Sequence, residues 1–282
     1  MGRLVDGIWH VSSVITSDGM GSYDRLPRTF LETISSSHSL YRPEANRYHL
    51  YVSYACPWAT RALIYRQLKG LADYISVDVV HPDMGDDGWI FDDTFEGSSR
   101  DSLHGFKFLR QVYLEADPLG STSVTVPVLW DKKTGSIVNN ESSQIIRIFN
   151  SAFNDLSGNT DDFYPSSLRR EIDDLNEKIY QTVNNGVYKT GFATNQESYD
   201  EAVTSLFDTL DELDQRLTNS KYLLGDEITE ADLRLIPTLL RFDVVYFTHF
   251  KCNWKRIVDY KNLHRYMLEM HSIPAIKDTF HL

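Results

Sequence analysis

Apolar and polar positions change rhythm along this chain, and the changes mark its elements. Residues 1–47 show short apolar stretches without sustained periodicity and read as an irregular N-terminal extension. Within it, Val11 to Ile15 fits a short extended segment, and Ser17-Asp-Gly-Met-Gly-Ser22 is turn-rich. From Tyr48 to Tyr54 aromatic and branched residues dominate, the composition of a buried strand. Trp58, Ala62, Ile64, Tyr65 and Leu68 then recur at helical spacing, predicting a helix over 57–69 that Gly70 stops. A second strand follows at Tyr74 to Val80, which makes a right-handed parallel βαβ unit. A polar excursion runs from His81 through Gly105, long enough to be either functional or disordered. Phe106 to Ala116 reads as a short helix carrying Arg110. Val124 to Trp130 reads as a strand interrupted by Pro127, which places that proline at an edge, a bulge or a cis turn. Asp131 to Ser136 is a turn, and Ile137 to Asn139 returns as the partner strand. Asn140-Glu141-Ser142 opens a helix whose apolar face is Ile145, Ile146, Ile148 and Phe149.

The rhythm changes again after Asn154 to Pro165, a Gly/Asp-rich stretch without period that reads as a linker. Beyond it only helical spacing remains. Ile172, Leu175, Ile179 and Val183 mark one helix; Tyr199, Val203, Leu206, Leu210, Leu213 and Leu217 mark the next, with a capping box at Ser198 and Glu201. Thr229 and Asp232 carry the same start signal, and a last helix covers about Asn262 to His271. The expected organisation is an α/β domain over 48–153, a linker over 154–165 and an all-helical domain over 166–282.

Length agrees, since 282 residues fit about two domains at ~100–200 residues each. A net charge of −12 argues against nucleic acid or an anionic membrane as a general partner. No apolar run reaches the ~20 residues needed to cross a bilayer, and the N-terminus lacks the apolar core of a signal peptide. The chain reads as cytoplasmic. Its two cysteines, Cys56 and Cys252, make no disulfide framework, and the scattered histidines show no ligand spacing, so no metal is expected.

Cys56 lies where strand passes into helix, beside a proline that suits the first helical position. Unpaired N–H groups and the positive end of the helix dipole favour thiolate there. The plainer reading is a buried structural cysteine. Position 59 is alanine, so a disulfide formed at Cys56 has no second cysteine to resolve it and needs an outside thiol, for which glutathione is the obvious cytosolic choice. Trp89 reads as an exposed aromatic within the excursion, either functional or pinning the loop to the core.

The order β-α-β, excursion, β-β-α, with a cysteine at the first helix and a proline at the third strand, resembles the thioredoxin fold of the glutathione transferases. Gly225-Asp-Glu-Ile-Thr-Glu-Ala-Asp-Leu233 resembles the buried capping segment of their helical domain. More specifically, Tyr54-Ala-Cys56-Pro-Trp-Ala59, the run His81 to Trp89, Thr125 to Gly135, Asn139-Asn-Glu141-Ser142 and Val187-Tyr188-Lys-Thr-Gly-Phe-Ala193 resemble the glutathionyl-hydroquinone reductases, omega-like cysteine transferases of the Xi class. That resemblance implies a thioredoxin-like N-terminal domain with an all-α C-terminal domain, a cis peptide before Pro127, glutathione as co-substrate, glutathionylated quinones as partners and a homodimer. It implies Cys56 as nucleophile and Tyr188 on the quinone oxygen. Glutathione contacts fall to Val126 through its backbone, to Glu141 and Ser142 at the γ-glutamyl end, and to Trp89 and Arg110 on the glycyl or thiol side. Glu141 is also what a helix start favours, and Tyr188 also fits an ordinary amphipathic tyrosine. Three departures stand out: Ser123 where the family has arginine, Thr60 where histidine is frequent, and a stop at Phe280-His-Leu282 where the family runs on into a tyrosine-bearing tail. The last implies an open quinone side. Competing classes are general omega-like thioltransfer or dehydroascorbate reduction, and a non-catalytic transferase-like interaction module.

Overall fold

The computed structural model describes residues 2–11, 16–17, 19 and 21–281. Its contacts divide into two compact units, one of Met1–Val14, Leu26–Asp161 and Thr279–Leu282, the other of Ile15–Arg25 and Asp162–Asp278. Of the predicted extended segment at Val11 to Ile15 all but Val11 lies outside the described residues, as do Asp18 and Met20 of the turn at Ser17 to Ser22, across which Ser17 pairs with Tyr23.

In chain order the strands are β1 (Arg3–Val5), β2 (Ile8–His10), β3 (Thr16–Ser17), β4 (Tyr23–Asp24), β5 (Tyr48–Val52), β6 (Ser76–Val79), β7 (Thr122–Ser123), β8 (Val128–Asp131) and β9 (Ser136–Asn139). The helices of the first unit are α1 (Pro57–Leu68), α2 (Leu109–Ala116), α3 (Ser142–Ser151) and α4 (Asn154–Ser157). Its main sheet has the order β6-β5-β8-β9, with β5 parallel to β6 and the other pairs antiparallel. All five residues of β5 are buried, the burial of a strand covered on both faces. The β-α-β, excursion, β-β-α order is the one expected for a thioredoxin-like domain. Helix α1 ends as its glycine requires, with Gly70 at φ 65°.

The N-terminal stretch is not irregular. Asp6 and Gly7 take positive φ, 51° and 77°, and turn β1 back on β2, as an Asp-Gly pair does in a two-residue hairpin. The other edge of β1 pairs with β7, Arg3 opposite Ser123. Ser123, the position that departs from the family arginine, is buried, and its hydroxyl has no hydrogen-bond partner among the described residues.

One buried ion pair joins the entry to β5 with the end of β8. Arg47 Nε and Nη2 donate to the two carboxylate oxygens of Asp131 at 2.7 and 2.6 Å. Asp131 also accepts from the Lys133 N–H at 3.0 Å and the Thr134 hydroxyl at 2.9 Å, which fixes the β8–β9 turn. Burial pushes this carboxyl up, but the Arg47 guanidinium, the Lys133 N–H and the Thr134 hydroxyl outweigh it and hold it below the usual carboxylate range.

The second unit is helical apart from the β3–β4 pair: α5 (Arg169–Ile179), α6 (Gly186–Phe192), α7 (Gln196–Arg216), α8 (Glu230–Arg241), α9 (Phe247–His249), α10 (Lys261–His271) and α11 (Pro274–Lys277). Single π-helical turns at Tyr180–Asn184 and Phe242–Tyr246 continue α5 and α8. Helix α7 starts earlier than Ser198: Asn195 is its cap, accepting from the Ser198 N–H at 2.9 Å. Helix α8 keeps the expected box, with the Thr229 N–H and hydroxyl donating to Asp232 at 2.9 and 3.0 Å. Tyr266 and the Leu223 N–H also donate to Asp232, yet complete burial pushes this carboxyl above its ordinary value. No helix among the described residues is long and apolar enough to cross a membrane.

Candidate active site

Helix α1 begins where the extended backbone of Cys56 (φ −96°, ψ 114°) meets Pro57. The Cys56 side chain does not cap the helix. It is half-buried, with Sγ 3.7 Å from the Val126 carbonyl oxygen. Val126 owes that position to the cis Val126–Pro127 peptide bond, after which β8 begins. Proline cannot donate to the ladder, so the sheet takes up the chain only after it, and the Val126 carbonyl is left facing the cysteine. Position 59, in the first turn of α1, is a buried alanine and α1 contains no cysteine, so the helix offers no second thiol.

At the start of α3, Glu141 is the cap. Its Oε1 accepts from the Ser143 N–H and hydroxyl, each at 2.9 Å, and lies 3.5 Å from the Ser142 hydroxyl. Among the described residues its other oxygen, Oε2, takes no hydrogen bond. Ser142, the first helical residue, is buried. Glu141 is thus the helix-start acid that the dipole favours, with one carboxylate oxygen still open to an external cation. The Asn139 side chain accepts from the Glu141 N–H at 2.8 Å and steadies the turn.

The excursion after β6 is ordered. His81 N–H donates to Ile90, Phe91 N–H to Lys107 and Leu109 N–H to Trp89, each at 2.9 to 3.0 Å. Trp89 is 8% exposed, which corrects the expectation of an exposed aromatic and matches the pinning alternative. Arg110 donates to the Asp87 carbonyl and carboxylate at 2.6 and 2.8 Å. Its guanidinium lies 3.9 Å from the centre of the Phe108 ring and 5.2 Å from that of Trp9. Trp9 in turn donates to the Asp86 carbonyl at 3.0 Å. Arg110 therefore holds the excursion in place, and the N-terminal hairpin helps; sequence reading anticipated neither partner.

Tyr188 lies in the second unit, on α6. Its hydroxyl is 3.4 Å from that of Tyr246, and its ring packs with Tyr23, Phe192, Tyr246 and Phe250. Arg25 stands 5.1 Å over the ring and donates to Asn185 at 3.1 Å. Tyr23, Arg25 and Tyr246 were not singled out in the sequence. Nothing local distinguishes them, because the cluster forms between segments far apart in the chain. Cys252 is fully buried, with burial pushing its thiol up to about 12.

The first unit thus combines a thiol at a helix start, an adjoining backbone carbonyl and a helix-capping carboxylate with one oxygen open. Comparison with known proteins finds the following similarities. Residues 55–152 match the family Glutathione S-transferase, N-terminal domain, and residues 196–269 match Glutathione S-transferase, C-terminal domain. Glutathionyl-hydroquinone reductase YqjG of Escherichia coli is 50% identical, the match covering 99% of this chain and 87% of the relative. Its glutathione-bound structure superposes with a TM-score of 0.92 at 49% identity, over 99% of this chain and 87% of that one. Glutathionyl-hydroquinone reductase PcpF of Sphingobium chlorophenolicum is 48% identical over 100% of this chain and 89% of the relative. The glutathione-S-transferase Xi of Phanerochaete chrysosporium superposes with a TM-score of 0.92 at 50% identity, covering 94% and 87%.

Proposed function

The chain belongs to the glutathione S-transferase family, in its Xi class, and from that premise we propose that it removes glutathione from glutathionyl-hydroquinones. It is a glutathione-dependent enzyme, and the observation that carries the reading is the Cys56 thiol at the start of α1 beside the Val126 carbonyl. The Cys56 thiolate attacks the sulfur of the glutathionyl group. A sulfur–sulfur bond forms, the bond from sulfur to the aromatic carbon breaks, and that carbon keeps the electron pair and takes a proton to give hydroquinone. A second glutathione, as thiolate, attacks the glutathione sulfur of the mixed disulfide, releasing oxidised glutathione and freeing Cys56. In the net reaction the thioether sulfur and the sulfur of the second glutathione are oxidised to the disulfide while one aromatic carbon is reduced, and Cys56 is returned unchanged. With Ala59 buried in α1, the second thiol comes from solution.

Glutathione is held by its ends. The open oxygen of Glu141 suits the γ-glutamyl ammonium, while the Ser142 hydroxyl and the N–H groups at the start of α3 suit the adjoining carboxylate. The Val126 backbone clasps the cysteinyl part. Arg110 and Trp89 shape the wall on the glycyl or thiol side by holding the excursion. The Tyr188 hydroxyl donates to the quinone oxygen. The same reading makes the protein a cytoplasmic homodimer, which light scattering at micromolar concentration checks.

One preparation assayed with a glutathionyl-hydroquinone, a mixed disulfide of glutathione and dehydroascorbate tests the activity. The expected result is fastest turnover of the first, with one oxidised glutathione per hydroquinone released. Turnover of only the other two substrates leaves general thioltransfer, and turnover of none leaves an interaction module.

Glu141→Gln keeps the acceptor for the Ser143 N–H and removes the charge. Glutathione affinity is expected to fall roughly ten- to a hundredfold, the loss of a charge-assisted contact of about 1.5–3 kcal/mol. Calorimetry showing unchanged affinity would leave Glu141 as a helix cap alone.

A further inference from the structure

Resting on the glutathione reading above, we infer that Tyr113 is a positioning residue whose single hydroxyl sets both clamps on glutathione. Tyr113 lies on α2 and is 1% exposed. Its hydroxyl donates to the Thr125 carbonyl at 2.8 Å, and accepts from the Thr125 N–H at 3.3 Å and the Asn140 side-chain amide at 3.2 Å. A phenol offers one proton and two lone pairs, so its capacity is filled.

Both partners stand next to the site. Thr125 immediately precedes Val126, whose carbonyl faces Cys56 Sγ at 3.7 Å. Asn140 immediately precedes Glu141, the cap of α3. The rest of Asn140 is fixed as well: its side-chain oxygen accepts from the Phe30 N–H at 3.3 Å, and its own N–H donates to the Phe30 carbonyl at 3.0 Å. The Phe30 ring meets Tyr113 edge-on at 5.9 Å. The segment that presents a carbonyl to the thiol and the turn that presents a carboxylate to the ammonium are thereby tied to one buried oxygen. A bound tripeptide spans those two clamps, so their separation decides whether both engage at once.

A residue of mere core packing has the same burial, so the test needs a reference. Tyr48 supplies it: its ring is fully buried, and its hydroxyl donates to the Arg42 carbonyl at 2.7 Å in the same unit. Tyr113→Phe and Tyr48→Phe are compared by thermal melting and by calorimetric titration with glutathione. Both are expected to melt lower than wild type, while only Tyr113→Phe binds glutathione more weakly, by about tenfold. Asn140→Ala removes one of the three bonds to the Tyr113 hydroxyl, along with the acceptor for the Phe30 N–H, and is expected to weaken binding about threefold, which keeps the test open if Tyr113→Phe does not fold. The double variant is expected to bind less weakly than the two losses multiplied together, because both changes remove the shared Tyr113–Asn140 bond. Unchanged affinity in Tyr113→Phe, or in Asn140→Ala if that variant alone folds, overturns the inference, as does equal weakening in Tyr48→Phe. Wild-type protein that fails to bind glutathione overturns the reading beneath it as well, and is told apart by that first titration.

Discussion

Cys56→Ser is expected to lose thiol transfer by about three orders of magnitude or more while still binding glutathione within a fewfold of wild type. Serine is a favoured residue at a helix cap, so α1 should start where it does now. Its hydroxyl does not ionise near neutral pH and cannot form the sulfur–sulfur link on which both half-reactions depend. Wild-type protein exposed to a glutathionyl-hydroquinone without free glutathione should gain the mass of one glutathione, and the variant none. Cys252 cannot substitute, being fully buried with its thiol pushed up to about 12. Turnover within tenfold of wild type, or glutathione found on Cys252, would reject the assignment.

Asp131→Ala is expected to be strongly destabilising, by about 3 kcal/mol, because it takes the buried carboxylate from the Arg47 guanidinium and leaves it only the half-exposed Glu44 carboxylate and the Leu40 carbonyl. Against the ~5–15 kcal/mol that holds a domain folded, this is a large fraction. Urea denaturation read by tryptophan fluorescence measures it, and a loss below about 1 kcal/mol would contradict the role given to the pair. The acid limb of stability follows from the same carboxyl. Its folded pKa lies below the unfolded one, so it contributes stability above the ordinary carboxylate value of about 4. That contribution is lost as pH falls through the folded value. Asp131→Asn should therefore be less stable than wild type near pH 7, with the gap closing towards pH 2.

The features that sequence disclosed are those decided within a few residues. A cysteine before a proline at a strand end, a proline at the head of β8 and Thr229 three residues before Asp232 each carry their geometry in local chemistry. What escaped depends on partners chosen far along the chain. Nothing around Arg110 announces Asp87 and Trp9, and nothing around Tyr113, spaced as a core residue from Leu109, announces Thr125 and Asn140. Trp89 looked exposed because its sequence neighbours are polar, whereas its burial comes from the excursion folding on itself. Asn195 escaped for a different reason. Ser198 and Glu201 satisfy the same start rule three residues later, and only the hydrogen bond to the Ser198 N–H decides between them. Asp6-Gly7 was a legible hairpin turn that the low periodicity of its surroundings obscured.

The N-terminal hairpin has a consequence for the protein while it is being made. Strand β1 leaves the ribosome well before its second partner, β7, which is encoded far downstream; the Asp6–Ser121 hydrogen bond alone spans 115 positions. Until Thr122 and Ser123 emerge, β1 has an open edge of unpaired backbone groups, the kind of surface that recruits neighbouring nascent chains. Substitutions at Arg3 or Val5 are therefore expected to show first as a lower soluble yield of newly synthesised protein, and only weakly in molecules that have already folded.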